Sequence, residues 1–326
     1  MLDRRTLIGR ALGSAAALAL PRAAFAATEA PFPLYDTHAH FYTNDQARYP
    51  FNARGARYGA ERMIAKAMAT PMTPEVIFGI WDLAGITKGC GVQYNSTYAT
   101  DNRYLLDISR RYPKKIVPVV ILSPLDPATP AALEKMARED RISGVRFTGV
   151  ADASGAFPFL GDAAAPAWAA ADRLGLVIVL MPIGKGTEGA MARVAVLAAR
   201  YPNVKIVLDH VGFPKPVPSP TFGLSPEHLA LAGHKNVYYK YTTLLIEQLE
   251  EGKVPLDAFV EHVAGVYGAD HLVWGSDVGN SEVDVVDYVR RAVGSARRLP
   301  VKQQRAMFFD TAEAVFIPGG RGPVRA

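Results

Sequence analysis

The sequence predicts an α/β fold, a single-domain (β/α)8 barrel of the TIM type. Short β-branched runs alternate with Ala/Leu-rich helical stretches through most of the 326 residues. Eight strand–helix units can be counted, which favours a closed barrel over an open sheet. No composition break or linker divides the chain. A Rossmann-like open sheet is the competing reading, but no G-x-G-x-x-G follows an early strand to support it. The length suits one large α/β domain, and 49% apolar residues suffice for a sizeable core.

The chain begins MLDRRTLIGRALGSAAALALPRAAFA. Arg4-Arg5, the apolar run Ala15 to Leu20 and the Ala24-Phe25-Ala26 site have the order of a secretory signal, and the arginine pair resembles a twin-arginine (Tat) leader. The apolar run is too short to span a bilayer. The expectation is a cleaved signal over residues 1–26, a mature domain over 27–326 and a periplasmic or secreted location. The whole chain carries a net charge of +5; without Asp3, Arg4, Arg5, Arg10 and Arg22 it carries 32 basic and 30 acidic residues. The basicity belongs mostly to the leader, so neither nucleic acid nor a membrane surface is expected as a partner of the mature domain. Cys90 is the single cysteine, which excludes an intrachain disulfide, and in a strand it reads as core.

In order, the strand candidates are Leu34–His40, Gly89–Tyr94, Ile116–Leu122, Ile142–Thr148, Leu176–Met181, Val204–His210, Asn236–Tyr241 and His271–Asp277. Helical stretches Pro74–Lys88, Asn102–Tyr112, Pro130–Asp140, Ala164–Leu174, Glu188–Tyr201, Pro226–Ala232 and Leu256–Tyr267 lie between them, and Glu282–Ser295 follows the last strand. The longest irregular segments, Phe41–Pro71 and the proline-rich Val211–Ser225, both follow a strand's C-terminal end. In a barrel that end carries the active site, so these segments are expected to form substrate walls or a lid.

Two of the seven histidines stand in H-x-H register in the first strand, LYDTHAH. Side chains alternate along a strand, so His38 and His40 point to one side and can grip one ion or one carbonyl oxygen. The sixth strand candidate, VKIVLDH, ends in His210, and the eighth, LVWGSD, ends in Asp277. Taken singly, Asp277 could be a helix N-cap, His210 a turn residue stabilised by Asp209, and the histidine pair a hydrogen-bonded core element. Three strands delivering these four groups to the same end of a barrel favour a site.

D-x-H-x-H on the first strand, a terminal histidine on the sixth and W-G-S-D on the eighth resemble the amidohydrolase superfamily, in particular its amidohydrolase-related branch of pyrone and sugar lactonases. Thr100-Asp101-Asn102-Arg103, Gly144-Val145-Arg146-Phe147, Asn236 to Lys240 and the closing segment Ala306 to Phe316 extend the resemblance over roughly residues 33 to 317. It implies a hydrolase of a lactone or related cyclic ester, with a small, carboxylate-bearing or cyclic ester compound as substrate. His38, His40 and Asp277 would be metal ligands for one zinc or manganese ion, or the histidines would polarise the carbonyl without a metal. His210 would join them, and Asp277 would be the general base. Arg146 would hold an anionic group of the substrate. On the residues alone, Arg146 could instead form a salt bridge at the barrel rim, Lys240 could be a second cation of the site or a solvated strand end, and Tyr42, Tyr94 and Tyr98 could line the mouth or serve packing.

The chain departs from that pattern in places. The fifth strand, VIVLMP, offers Met181 and no histidine, and the fourth offers Arg146, so a binuclear site is not expected. Leu122 to Leu125 and Tyr241 to Leu245 contain no arginine, and Val278-Gly279-Asn280 replaces the usual eighth-strand loop, which suggests a less charged substrate than a pyrone dicarboxylate. The alternatives are a metal-dependent decarboxylase of the same superfamily and a non-catalytic periplasmic ligand-binding barrel.

Overall fold

The computed structural model describes residues 30–56, 59–281 and 284–320, so the leader expected over 1–26 lies outside the described residues. Eight strands form one sheet: β1 (Leu34–Ala39), β2 (Ile86–Val92), β3 (Ile116–Ile121), β4 (Gly144–Val150), β5 (Val177–Ile183), β6 (Lys205–Leu208), β7 (Val237–Thr242) and β8 (Leu272–Gly275). Each strand pairs in parallel with the next, in sequence order.

The seam between β8 and β1 closes mainly through side chains. One parallel bridge joins Ala39 to Val278, where His40 N donates to Val278 O at 2.9 Å. Thr37 Oγ1 donates to Trp274 O at 2.7 Å. Asp36 accepts from the Ser276 amide at 2.8 Å, from the Ser276 hydroxyl and from Trp81 Nε1 at 3.0 Å. The aspartate just behind the H-x-H pair thus ties first strand to last. Asp36 reaches Trp81 on the covering helix Pro74–Ala84, whereas His38 and His40 line the mouth. β1 shifts register against β2 between Asp36 and Ala39, and this irregularity lets the strand present both sides.

Strand alternation sorts the apolar residues into two layers. Cys90 and Val92, Val117 and Val119, Val177 and Val179, with Val207 and Val273, form a small buried cluster. Their sequence neighbours, including Val120, Ile178, Leu180, Ile206 and Trp274, join the larger core shared with the helices. This is the two-residue period of a barrel covered on its outer face. Phe316 belongs to the inner cluster and, with Val315, plugs one end; Lys205 Nζ donates to Ala314 O and Val315 O there. Cys90 is fully buried, and burial pushes its thiol up to about 12, so it is core.

Several bounds differ from the sequence expectation. The stretch Pro74–Lys88 is a helix only to Ala84; Gly85 takes the left-handed cap and β2 begins at Ile86. Phe41–Pro71 is not irregular throughout, since Ala60–Ala69 is helical and buries Met63 and Ala67. A helix Thr243–Glu251, directly after β7 and capped by the Thr242 side chain, was not anticipated. The segment Ala306 to Phe316 is the end of a longer run: Val301–Arg305, a π-helical turn Ala306–Asp310, then Thr311–Val315. Residues 282 and 283 of the expected last helix lie outside the described residues; the helix itself is Val285–Ser295. Among the described residues, no helix is long and apolar enough to cross a membrane.

Candidate active site

At the C-terminal ends of the strands a cavity of about 400 Å3 is lined by His38, His40, Arg146, His210 and Asp277, with neutral polar groups around them. His38 and His40 come from β1. Their imidazoles meet edge to face, with Nε2 atoms 3.1 Å apart. His40 Nδ1 is 2.9 Å from Val92 O, an acceptor, so Nδ1 carries a proton and Nε2 is the nitrogen turned to His38 and Asp277. Gly275 of β8 is required here, because a Cβ at that position would stand 2.5 Å from His38 Cβ.

Asp277 follows β8 with a left-handed backbone, φ 57°. Its Oδ2 accepts from Asn280 Nδ2 at 3.0 Å. Its Oδ1 is buried without a hydrogen-bond partner, 3.3 Å from His40 Nε2 and 3.6 Å from His38 Nε2. Burial works to raise this carboxyl, but the nearby imidazoles, His40 foremost, outweigh burial and hold it below the usual carboxylate range. Burial lowers His38 to about 3 and His210 to about 4, so both are neutral at pH 7.

The three donor atoms of His38, His40 and Asp277 lie within 4.8 Å of one another. They fit a divalent cation: two imidazole nitrogens and an orphaned carboxylate oxygen converge, and an N2O set suits zinc and accommodates manganese.

His210 stands just past β6 in a turn of four successive left-handed residues: His210 (φ 54°), Val211 (φ 54°), Gly212 (φ 73°) and Phe213 (φ 57°). A β-branched residue in that region is strained, and fully buried Val211 is held there by packing. His228 anchors the turn, with Nε2 3.1 Å from Gly212 O and Nδ1 2.9 Å from Ser225 Oγ. Thr242 Oγ1 sits 2.6 Å from His210 Nδ1, which leaves Nε2 for the cavity. The rings of His210 and Phe213 meet at a tilt of 52°, with centroids 4.7 Å apart.

Below this layer lies a buried charge cluster. Asp209 Oδ2 accepts from Arg146 Nε at 2.8 Å and stands 2.8 Å from Nη2, which donates to Met181 Sδ; Oδ1 is 2.9 Å from Lys240 Nζ. His38 Nδ1 lies 3.4 Å from both Asp209 Oδ1 and Lys240 Nζ. Burial works to raise Asp209, but Lys240 and then Arg146 outweigh it and hold the carboxyl well below its usual range.

The residues singled out in the sequence therefore divide. His38, His40, His210, Asp277, Arg146 and Tyr94 line the cavity. Lys240 is fully buried on Asp209 and does not. Tyr42 donates to Gly279 O and Tyr98 to Thr43 O, behind the wall. The sequence reading missed Asp209 as an organiser, although the Asp-His pair ending an apolar strand marked it. It also missed Gln248 and Phe213, which line the cavity from an unanticipated helix and an irregular turn.

The sequence model of the family described as Amidohydrolase matches residues 35–316. The chain belongs to the amidohydrolase family. An L-fucono-1,5-lactonase of Burkholderia ambifaria is 30% identical over 231 residues, which cover 64% of this chain and 73% of that protein. A protein of Pseudomonas putida assigned as a 2-pyrone-4,6-dicarboxylic acid hydrolase superposes with a TM-score of 0.67 at 26% identity, covering 87% of this amidohydrolase and 97% of that chain. A zinc-bound amidohydrolase of Burkholderia multivorans shares the fold at 19% identity, with a TM-score of 0.65 and coverage of 88% and 100%.

Proposed function

We propose that this amidohydrolase opens a lactone by hydrolysis. The observation that carries the reading is the Asp277 carboxylate: ionised, buried, one oxygen without a hydrogen bond, and set beside the paired imidazoles of His38 and His40 on the cavity wall. The lactonase and pyrone hydrolase among its relatives support the same chemistry.

Water must lose a proton as it attacks the ring carbonyl, and Asp277 Oδ1 is the acceptor within the cavity. The new C–O bond gives a tetrahedral oxyanion beside the imidazoles. Collapse breaks the ring C–O bond, and the proton on Asp277 passes to the departing alkoxide, giving the hydroxy acid. A divalent cation held by His38, His40 and Asp277 would polarise the carbonyl and lower the pKa of the attacking water. Asn280 fixes the Asp277 carboxylate through Oδ2, and Thr242 fixes His210. β5 delivers Met181, a thioether, to the cavity, so the site has one cluster of ligands and no second centre among the described residues.

Acid release from a panel of five- and six-membered lactones, followed at constant pH with added zinc, manganese or chelator, tests the reading. Turnover of at least one lactone is expected. No acid from any ring in any metal state would sink it.

A further inference from the structure

Gln248 stands one helical turn beyond Leu244 on the helix Thr243–Glu251, so both side chains face the cavity. Its Oε1 is buried and has no hydrogen-bond partner. A buried amide oxygen left without a donor is costly unless a ligand completes it. Gln248 also lines a second depression of about 450 Å3, which shares Gly184 and Phe213 with the first cavity. The amide therefore stands on the wall between them, where a substituent leaving the ring would pass.

The charge of the cavity narrows what that substituent is. Arg146 is its one lining Lys or Arg among the described residues; its Nε donates to Asp209, and its Nη2 donates to Met181 Sδ while staying 2.8 Å from the same carboxylate. The other polar lining groups, Asn95, Ser96, Asn280 and Tyr94, are amides and hydroxyls. Such a lining hydrogen-bonds hydroxyls and offers little to balance a carboxylate.

We propose that Gln248 is a specificity-determining residue that accepts a hydrogen bond from a hydroxyl of the substrate, which is a neutral polyhydroxylated lactone. This rests on the lactonase reading. A site built to bond a hydroxyl discriminates against the ring that lacks it, because its own polar group is then left unpaired.

The test compares three lactones: glucono-1,5-lactone, the unsubstituted δ-valerolactone and the carboxylate-bearing glucaro-1,5-lactone. Wild type should favour the gluconolactone over the other two in kcat/KM. Gln248→Leu should raise KM for gluconolactone about tenfold with kcat within about twofold, and leave δ-valerolactone unchanged. Gln248→Glu keeps an acceptor and should retain gluconolactone while further rejecting glucarolactone. Equal loss on gluconolactone and δ-valerolactone would mean a structural role and overturn the proposal, as would preference for the carboxylate. Calorimetry with gluconolactam, which keeps the hydroxyls, separates this proposal from the lactonase reading. Weakened lactam binding in Gln248→Leu, with an unchanged melting temperature, supports the role of Gln248 even where no lactone turns over. Lactam binding equal in the two proteins, or absent from wild type, overturns it.

Discussion

Asp209 and Asp277 are both buried carboxylates at the mouth of one barrel, and their surroundings are opposite. Asp209 is paired with cations: Arg146 hydrogen-bonds one oxygen, and the Lys240 ammonium stands 2.9 Å from the other, which like Asp277 Oδ1 accepts no hydrogen bond. Among the described residues Asp277 pairs with no lysine or arginine; its Oδ2 meets an amide and its Oδ1 meets imidazole edges without a hydrogen bond. A carboxylate already charge-paired with two cations resists taking up a proton or a further cation, whereas one that faces imidazoles and an amide can take either. Burial alone therefore does not identify the reactive group; the difference in partners does.

The sharpest way to break the contrast is to neutralise each in turn. Asp277→Asn should lower kcat on any lactone the protein opens by about a thousandfold or more, since a general base contributes about 10^2–10^4 and oxyanion stabilisation is disturbed as well. Its melting temperature should stay close to wild type, because no buried cation loses its counter-ion. Asp209→Asn should do the reverse in kind: stability falls by about 3–5 kcal/mol, as two buried cations are left without their carboxylate. Denaturant midpoints check both. Adding Lys240→Met to Asp209→Asn should recover part of the loss, and a double variant no more stable than the single one would count against the charge-balance account.

The legibility of the two aspartates in the sequence follows from the same contrast. The eight-unit barrel is readable because β-branched runs and helical stretches obey local periods, and all eight strands occur in the expected order. His38, His40, His210 and Asp277 are readable because each ends or nearly ends a strand. Asp209 is not, because its role depends on Arg146 and Lys240, which are 63 and 31 positions away in the sequence and on different strands. Gln248 is hidden for a related reason: the helix that carries it starts directly after the last residue of β7 without a turn signal, so its face has no sequence marker. The left-handed turn at His210 is likewise fixed by tertiary packing. Val211 would not choose that backbone alone, and it is the His228 bond to Gly212 and the surrounding core that hold it.

The neutral histidines give a smaller and graded effect, best read on metal-free protein. The ordinary imidazole pKa is 6.5, and burial lowers His38 to about 3 and His210 to about 4. Below pH 6.5 the unfolded chain takes up protons that these folded groups refuse, so stability present above pH 6.5 is lost as the pH falls toward 4. Each histidine contributes a slope of about 1.4 kcal/mol per pH unit in that window. Asp277 acts lower down, since its folded pKa lies below 3.8: its contribution is present above that value and lost beneath it. Urea midpoints measured from pH 7 to 4 should fall throughout, and His210→Asn should flatten the decline. A stability flat across that range would show that the buried imidazoles are charged and would undo the assignment of their lone pairs.

The smallest expected effect lies at the outer edge of the Asp277 environment. Tyr94 donates its hydroxyl to Asn280 Oδ1 at 2.9 Å, and Asn280 in turn donates to Asp277 Oδ2. Tyr94 also stacks on His40 with ring centroids 4.5 Å apart, a contact that phenylalanine keeps. Tyr94→Phe therefore removes one neutral hydrogen bond and leaves the ring packing, which sets a loss of about two- to tenfold in kcat/KM and under about 1.5 kcal/mol in stability. The loss should fall on kcat, because the bond orients the base and reads no substrate group. A loss confined to KM would mean that the Tyr94 hydroxyl meets the substrate directly. A loss as large as that of Asp277→Asn would mean that the carboxylate depends on a single relay, and that its environment is as tightly determined as that of Asp209.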